Sequence, residues 1–209
     1  WIRKIHFITW GHYPEWLNLD SGKLNIVNHR DFIPENYLPT FSSHVIELNL
    51  HRIPDLSENF IYFNDDVYLN KKVSPEDFFL DGKPRDSAIL GVIKNNHTEN
   101  FMPYIMLNMM ALINMNFDNK EVIKENKSKW FSLKYGKFLF NNIYLNPFDC
   151  FTGFRNFHGA SAFCKKTFIE VWNKFPDVLD EVCSHKFRSK SDVNQYIFRY
   201  WQLVTGNFE

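Results

Sequence analysis

A chain of 209 residues is long enough to enclose one substantial hydrophobic core and too short for two comfortable ones. Its composition, 44% hydrophobic and 23% charged, is that of a soluble globular protein, and 22 Phe predict a core filled by flat rings. The 24 basic and 24 acidic residues cancel, which argues against nonspecific nucleic-acid binding but leaves room for a local phosphate site. In chain order, Lys4 to Thr9 is short, apolar and β-branched and reads as a strand running into a loop at Gly11 and Pro14. Ser42 to Arg52 offers serines suited to an N-cap and apolar residues at helical spacing, with Pro54 behind it; a helix of about three turns is expected. Phe60-Ile61-Tyr62-Phe63 is the clearest strand, ending abruptly in Asn64-Asp65-Asp66, and Ile89 to Ile93 is a second candidate for a buried strand.

Met102 to Asn116 carries Met, Leu and Ile at helical spacing, the pattern of a core-packing stripe. Lys120 to Tyr135 reads as a charged amphipathic helix. Thr167-Phe168-Ile169-Glu170 has the form of a capping box, and Phe168, Val171, Trp172 and Phe175 fall on one helical face before Pro176. A last helix is expected from about Ser191 to Val204, with Val193, Ile197, Trp201 and Val204 buried and Gly206 as its stop. Strands separated by helices predict an α/β core. Three cysteines, Cys150, Cys164 and Cys183, show no C-x-x-C spacing, so reduced thiols are expected in place of zinc or a disulfide framework. No apolar run reaches the roughly 18 residues a membrane span needs, and no signal peptide is visible. The chain opens at Trp1, not at Met, so the natural N-terminus is expected to lie upstream.

Four groups of residues could carry chemistry. Asn64-Asp65-Asp66 stands where a buried strand ends; it suits a hard divalent cation and suits an ordinary turn as well. Glu47 and His51 project from one helix face beside Arg52, as functional groups or as a solvated edge. His158 lies in Gly153-Phe154-Arg155-Asn156-Phe157-His158-Gly159-Ala160, ahead of Lys165 and Lys166, as a catalyst or as a hydrogen-bonded structural histidine. The basic run His185 to Asp192 precedes a helix N-terminus, where cations and free backbone N–H groups could hold phosphate or simply form a solvated loop.

Taken together, the wording and order of these segments resemble the Stealth family, bacterial capsular and exopolysaccharide phosphotransferases with the animal enzyme that starts the mannose-6-phosphate tag as a distant relative. Leu38-Pro39-Thr40-Phe41-Ser42-Ser43 with Glu47, His51-Arg52-Ile53, Leu56-Ser57 and Phe60 to Val67 resembles the family's second block. Phe151 to His158, continuing through Lys165, resembles the third, and Cys183 to Ser189 with Asp192-Val193-Asn194 and Tyr200-Trp201-Gln202-Leu203 the fourth. The first block, a strand with a Tyr-Thr-Trp-Val-Asp-like signature, is absent. Ala160 stands where the family usually has Pro two residues after its histidine.

The resemblance implies a single catalytic domain over 1–209 that lacks the first block, with a mixed sheet flanked by helices in a Rossmann-like, glycosyltransferase-A-like nucleotide-sugar core. It implies transfer of hexose-1-phosphate from a UDP-sugar, a UDP-HexNAc in particular, to a hydroxyl of a growing surface polysaccharide, with UMP leaving. Glu47, Asn64 and Asp66 would then serve Mg²⁺ or Mn²⁺ and the diphosphate, with Asp65 supporting. Arg188 would hold phosphate oxygens through its planar fork, and Lys165 would add a second positive charge. Ser43, His51, Arg52 and Asp192 complete the expected substrate contacts. His158 would be the general base for the acceptor hydroxyl or, alternatively, a covalent phosphoryl acceptor. Expected partners are the donor and an oligo- or polysaccharide acceptor, with no nucleic acid. The expected place is the bacterial cytoplasm, at the inner face of the membrane if the protein joins a capsule assembly complex. Two other readings remain open: a metal-dependent glycosyltransferase releasing UDP, and a carbohydrate-binding module without turnover.

Overall fold

Short strands of aromatic and β-branched residues pair two by two in this chain, and the helices around them supply most of the core. The computed structural model describes residues 1–209. Strand β1, Ile5–Thr9, runs parallel to β2, Leu24–Asn28, with Ile5 opposite Leu24. Helix α1 spans Ser43–Leu48 and tightens into a 3₁₀ turn at Leu50–Arg52, so the expected three-turn helix is one short α-helix and a turn. Strand β3, Asn59–Tyr62, follows. A two-residue hairpin joins β4, Phe79–Leu80, to β5, Lys83–Pro84, through Asp81 and Gly82, both at positive φ (50° and 75°), as a tight hairpin turn requires.

Helices α2 (Met102–Asn114), α3 (Asn119–Glu125), α4 (Lys127–Trp130) and α5 (Leu139–Leu145) come next. Strand β6, Ser161–Cys164, then pairs antiparallel with β3 and leads into α6 (Lys165–Lys174), α7 (Pro176–Ser184) and α8 (Tyr196–Val204). The chain is thus mixed α/β, with three separate two-stranded ladders in place of one extended mixed sheet. No helix is long and apolar enough to cross a membrane.

Three expectations are corrected by where backbone groups find partners. Ile89–Ile93 forms a single bridge, Leu90 to Phe154, and no strand. Asn142 takes the backbone groups a neighbouring strand would use: its Oδ1 accepts from Leu90 N at 2.7 Å and its Nδ2 donates to Ala88 O at 2.6 Å. The helix expected over Lys120–Tyr135 breaks at Asn126 (φ −119°, ψ 33°), which turns the fully buried Trp130 into the core. The Thr167 capping box does not start α6. The helix begins at Lys165, where Glu58 from across the ladder does the capping: its carbonyl accepts from Lys165 N and its carboxylate from Lys166 N. Pro176 ends one helix and opens another, the favoured N1 position for proline.

The buried apolar side chains form one contiguous cluster reaching from Val27 to Phe208. Its centre is aromatic: Phe168 of α6 stacks on Phe198 of α8, and Phe60 and Phe163 of the β3–β6 ladder pack against Phe168. This packing fixes the end of β3 relative to α1 and to the loops at 155–160 and 185–192. Those loops and the strand end carry the polar residues that matter next.

Candidate active site

Alternation along β3 is the simplest positional rule in the site. Tyr62 and Asn64 lie two residues apart and share a direction. The Tyr62 hydroxyl stands 3.1 Å from Glu47 Oε1 of α1 and 2.9 Å from Asn64 Oδ1, and its single proton serves one of them at a time. Glu47 is almost fully buried. Burial pushes its carboxyl above the usual range, against the pull of His44 and the Tyr62 hydrogen bond, and its Oε2 has no protein partner. Burial, with the nearby Glu47 charge, also raises the Tyr62 phenol, which stays protonated.

A cleft of about 1070 Å³ opens beside these groups. Ser43, Glu47, Asn64, Asp65, His158 and Arg188, all expected site residues, line it together. Arg188 Nη2 donates to Ser43 Oγ at 2.7 Å, so the exposed guanidinium is aimed along the cleft wall from the loop before α8. Asp66 points differently. Its Oδ2 lies 2.9 Å from His158 Nε2, and this hydrogen bond holds the Asp66 carboxyl below the ordinary range. Both side chains of the pair are more than half exposed, 65% for His158 and 58% for Asp66, so a substrate can reach them.

Asp192 is fully buried and lies behind the wall. It gathers His44 Nδ1 (2.8 Å), His185 Nδ1 (2.7 Å) and Ser189 N (2.9 Å) onto one carboxylate. Burial raises its carboxyl, but these three hydrogen bonds outweigh burial and the net shift is downward. The loop that presents Arg188 is thereby tied to α1. His51, Arg52 and Lys165 do not join the cleft. The His51 ring packs near Phe168 and Trp172, and burial, reinforced by the Arg52 charge, pushes it down to about 4. Arg52 lies over the Trp172 ring at 4.9 Å. Lys165 opens α6 and is close enough to weigh on His51.

Reading the residues alone overlooked His44 and Tyr62. Both could have been found: His44 lies one helical turn before Glu47, and Tyr62 is on the Asn64 side of its strand. No three His, Cys, Asp or Glu side chains come together in a cluster able to hold a metal ion. The oxygen pair Glu47–Asn64, with the orphaned Glu47 Oε2, is the place where a hard cation could find protein ligands.

Two family models match parts of the chain. Stealth protein CR2, conserved region 2, matches residues 1–86, which include Glu47, Tyr62 and Asn64 to Asp66. Stealth protein CR3, conserved region 3, matches residues 157–200, which include His158, Arg188 and Asp192. The chain belongs to the Stealth family. Similar proteins include the capsular polysaccharide phosphotransferase WcwK of Streptococcus pneumoniae, 44% identical over all of this chain and 62% of the relative. The exopolysaccharide phosphotransferase cps2G of Lactiplantibacillus plantarum is 38% identical over all of this chain and 61% of its own length. The receptor polysaccharide phosphotransferase WefC of Streptococcus gordonii is also 38% identical, with 62% of its length covered. The chain therefore spans about three fifths of the length of these curated relatives.

Proposed function

We propose that this chain is the catalytic part of a polysaccharide phosphotransferase that moves hexose-1-phosphate from a UDP-sugar to a hydroxyl of a surface glycan. The observation that carries the reading is His158, hydrogen-bonded to the exposed Asp66, on the wall of a cleft that also holds Arg188 and Glu47. The names of the relatives, all polysaccharide phosphotransferases, support the reaction class. The donor, a UDP-HexNAc, and the departure of UMP are the finer part of the proposal. So are a Rossmann-like donor core built outward from the parallel pair β1–β2, and a site of action in the cytoplasm or at the inner face of the membrane.

Each residue has a task that its position allows. An ionised Asp66 Oδ2 accepts from His158 Nε2–H, which leaves Nδ1 as the free basic nitrogen. The acceptor oxygen attacks the sugar-bearing phosphorus while its proton passes to His158 Nδ1. The bond from that phosphorus to the bridging oxygen breaks, and the electron pair leaves with UMP. Asp66 stabilises the imidazolium that forms. Arg188, held by Ser43, spreads two N–H donors over the phosphate oxygens. Mg²⁺ or Mn²⁺, when bound, would be held by Glu47 and Asn64 and would neutralise charge on the diphosphate. Asp66, expected as a third ligand, is instead engaged with His158.

Mass spectrometry of products from UDP-HexNAc donors tests the class directly: UMP and a phosphodiester are expected, whereas UDP and a plain glycoside would make the protein a glycosyltransferase. His158→Ala should lower turnover by roughly 10²–10⁴-fold with UDP-sugar binding retained. A fully active variant would return His158 to a structural role.

A further inference from the structure

A second cavity, about 540 Å³, adjoins the first. Val67, Tyr68, Leu69, Phe78 and Ala160 form its apolar wall, and Asp66 supplies its one carboxylate. His158 is the only residue common to both cavities. Tyr68 is 83% exposed and lies two residues from Asp66 in the segment that leaves β3. No Lys or Arg lines this second cavity, which presents aromatic and aliphatic surface together with the Asp66 carboxylate and the His158 imidazole.

We infer that the second cavity is the acceptor subsite and that it receives a neutral sugar residue of the glycan end. The inference rests on the reaction proposed above. A diphosphate is dianionic or more and belongs with Arg188; a cavity with a carboxylate and no cation repels it. A pyranose has the opposite needs, apolar C–H faces for an aromatic ring and hydroxyls that donate to a carboxylate. The volume falls within the range of about 300–1,000 Å³ for small-molecule sites. The decisive point is position. A general base must lie within hydrogen-bond reach of the hydroxyl it deprotonates. A donor in the first cavity and an acceptor in the second would meet at His158, the one side chain that touches both.

Tyr68→Ala provides the test, because a side chain so exposed can be truncated without unfolding the protein. Binding of a panel of methyl hexosides and methyl N-acetylhexosaminides, read by ligand-observed NMR, needs no turnover. The inference therefore fails or stands separately from the reaction class, which product analysis decides. The wild type should bind at least one glycoside of the panel, and Tyr68→Ala should weaken it about tenfold. Arg188→Lys should leave glycoside binding in place. In turnover, Tyr68→Ala should raise the acceptor KM and not the donor KM. No glycoside binding by the wild type, equal binding by Tyr68→Ala, or a rise confined to the donor KM would each overturn the assignment; the last would move the donor's nucleoside into this cavity. Ala160→Trp, which fills the cavity, gives a second reading: acceptor binding is expected to vanish, and its persistence would also overturn the proposal.

Discussion

At the scale of single residues, two cations two positions apart do different things. Arg188 is exposed, anchored to Ser43 and aimed along the cleft, and Arg188→Lys keeps its charge but removes the planar fork. Lys190, in the same basic run, reaches away to the Thr98 carbonyl at 2.7 Å and sits near the rings of Phe101 and Tyr104. What ties its backbone down is Asn108, which bonds the Lys190 carbonyl whatever the side chain. Arg188→Lys is therefore expected to weaken UDP-sugar binding roughly tenfold, and Lys190→Ala to change it hardly at all. Titration calorimetry with a UDP-HexNAc compares the two, and equal losses would reduce the loop to a diffuse positive patch. Motif wording alone named six residues, Ser43, Glu47, Asn64, Asp65, His158 and Arg188, that the fold brings to one cleft. The roles were less so. Asp192 is a buried hub and Asp66 a partner of His158, facts decided by long-range hydrogen bonds that no local pattern encodes.

Elements show why periodicity succeeded in places and failed in others. Where apolar spacing is answered by apolar partners, as in β1, β3 and α2, the expected element forms. Where side chains compete for the backbone it does not: Asn142 dissolves the strand expected at 89–93, and Asp192, bonded to Ser189 N, keeps the stretch before α8 out of the helix, which starts at Tyr196 instead of near Ser191. β6 is too short and too mixed, Ser-Ala-Phe-Cys, to declare itself without β3 beside it. The junction of α1 and its 3₁₀ turn with α6 has a measurable consequence. His51 there is held at about 4, mainly by burial, against an unfolded value near 6.5. Between these pH values the unfolded chain binds the proton and the folded chain does not, so stability is lost as pH falls from about 6.5 towards 4. The full loss is on the order of 3 kcal/mol. Replacing His51 by Phe, whose ring suits the neighbourhood of Phe168 and Trp172, should flatten this part of a urea-denaturation profile against pH; an unchanged slope would mean that the histidine titrates normally in the fold.

For the whole molecule, the question is what joins the half that bears Glu47 and Asn64 to the half that bears His158 and Arg188. The β3–β6 ladder is one link, only four residue pairs long. Arg199 of α8 is another. Its guanidinium clasps Asp86 with Nε at 2.7 Å from Oδ2 and Nη2 at 2.8 Å from Oδ1. Nη2 also donates to the Ser87 carbonyl, and Nη1 donates to Asn156 Oδ1 at 2.9 Å, two residues before His158. Asn156 in turn donates to the Tyr200 hydroxyl, so one buried cation orders the 86–87 turn, the approach to His158 and the face of α8 together. Burial disfavours the charged guanidinium, yet the Asp86 charge more than compensates, and the net shift favours the cation. Removing one partner of such a pair leaves an uncompensated charge where water has little access, which typically costs about 3–5 kcal/mol. Arg199→Met should accordingly lower the thermal midpoint by roughly 10 °C for a chain of this size. The double variant Arg199→Met with Asp86→Leu removes both charges and should recover most of that loss, because an apolar pair of similar volume carries no desolvation penalty. The two variants separate the pair's electrostatics from its geometry. Stability restored in the double variant with turnover still depressed would show that Arg199 matters to catalysis through Asn156 and the segment leading to His158. Stability and turnover restored together would limit the pair to holding the fold, and no loss in the single variant would remove Arg199 from this account.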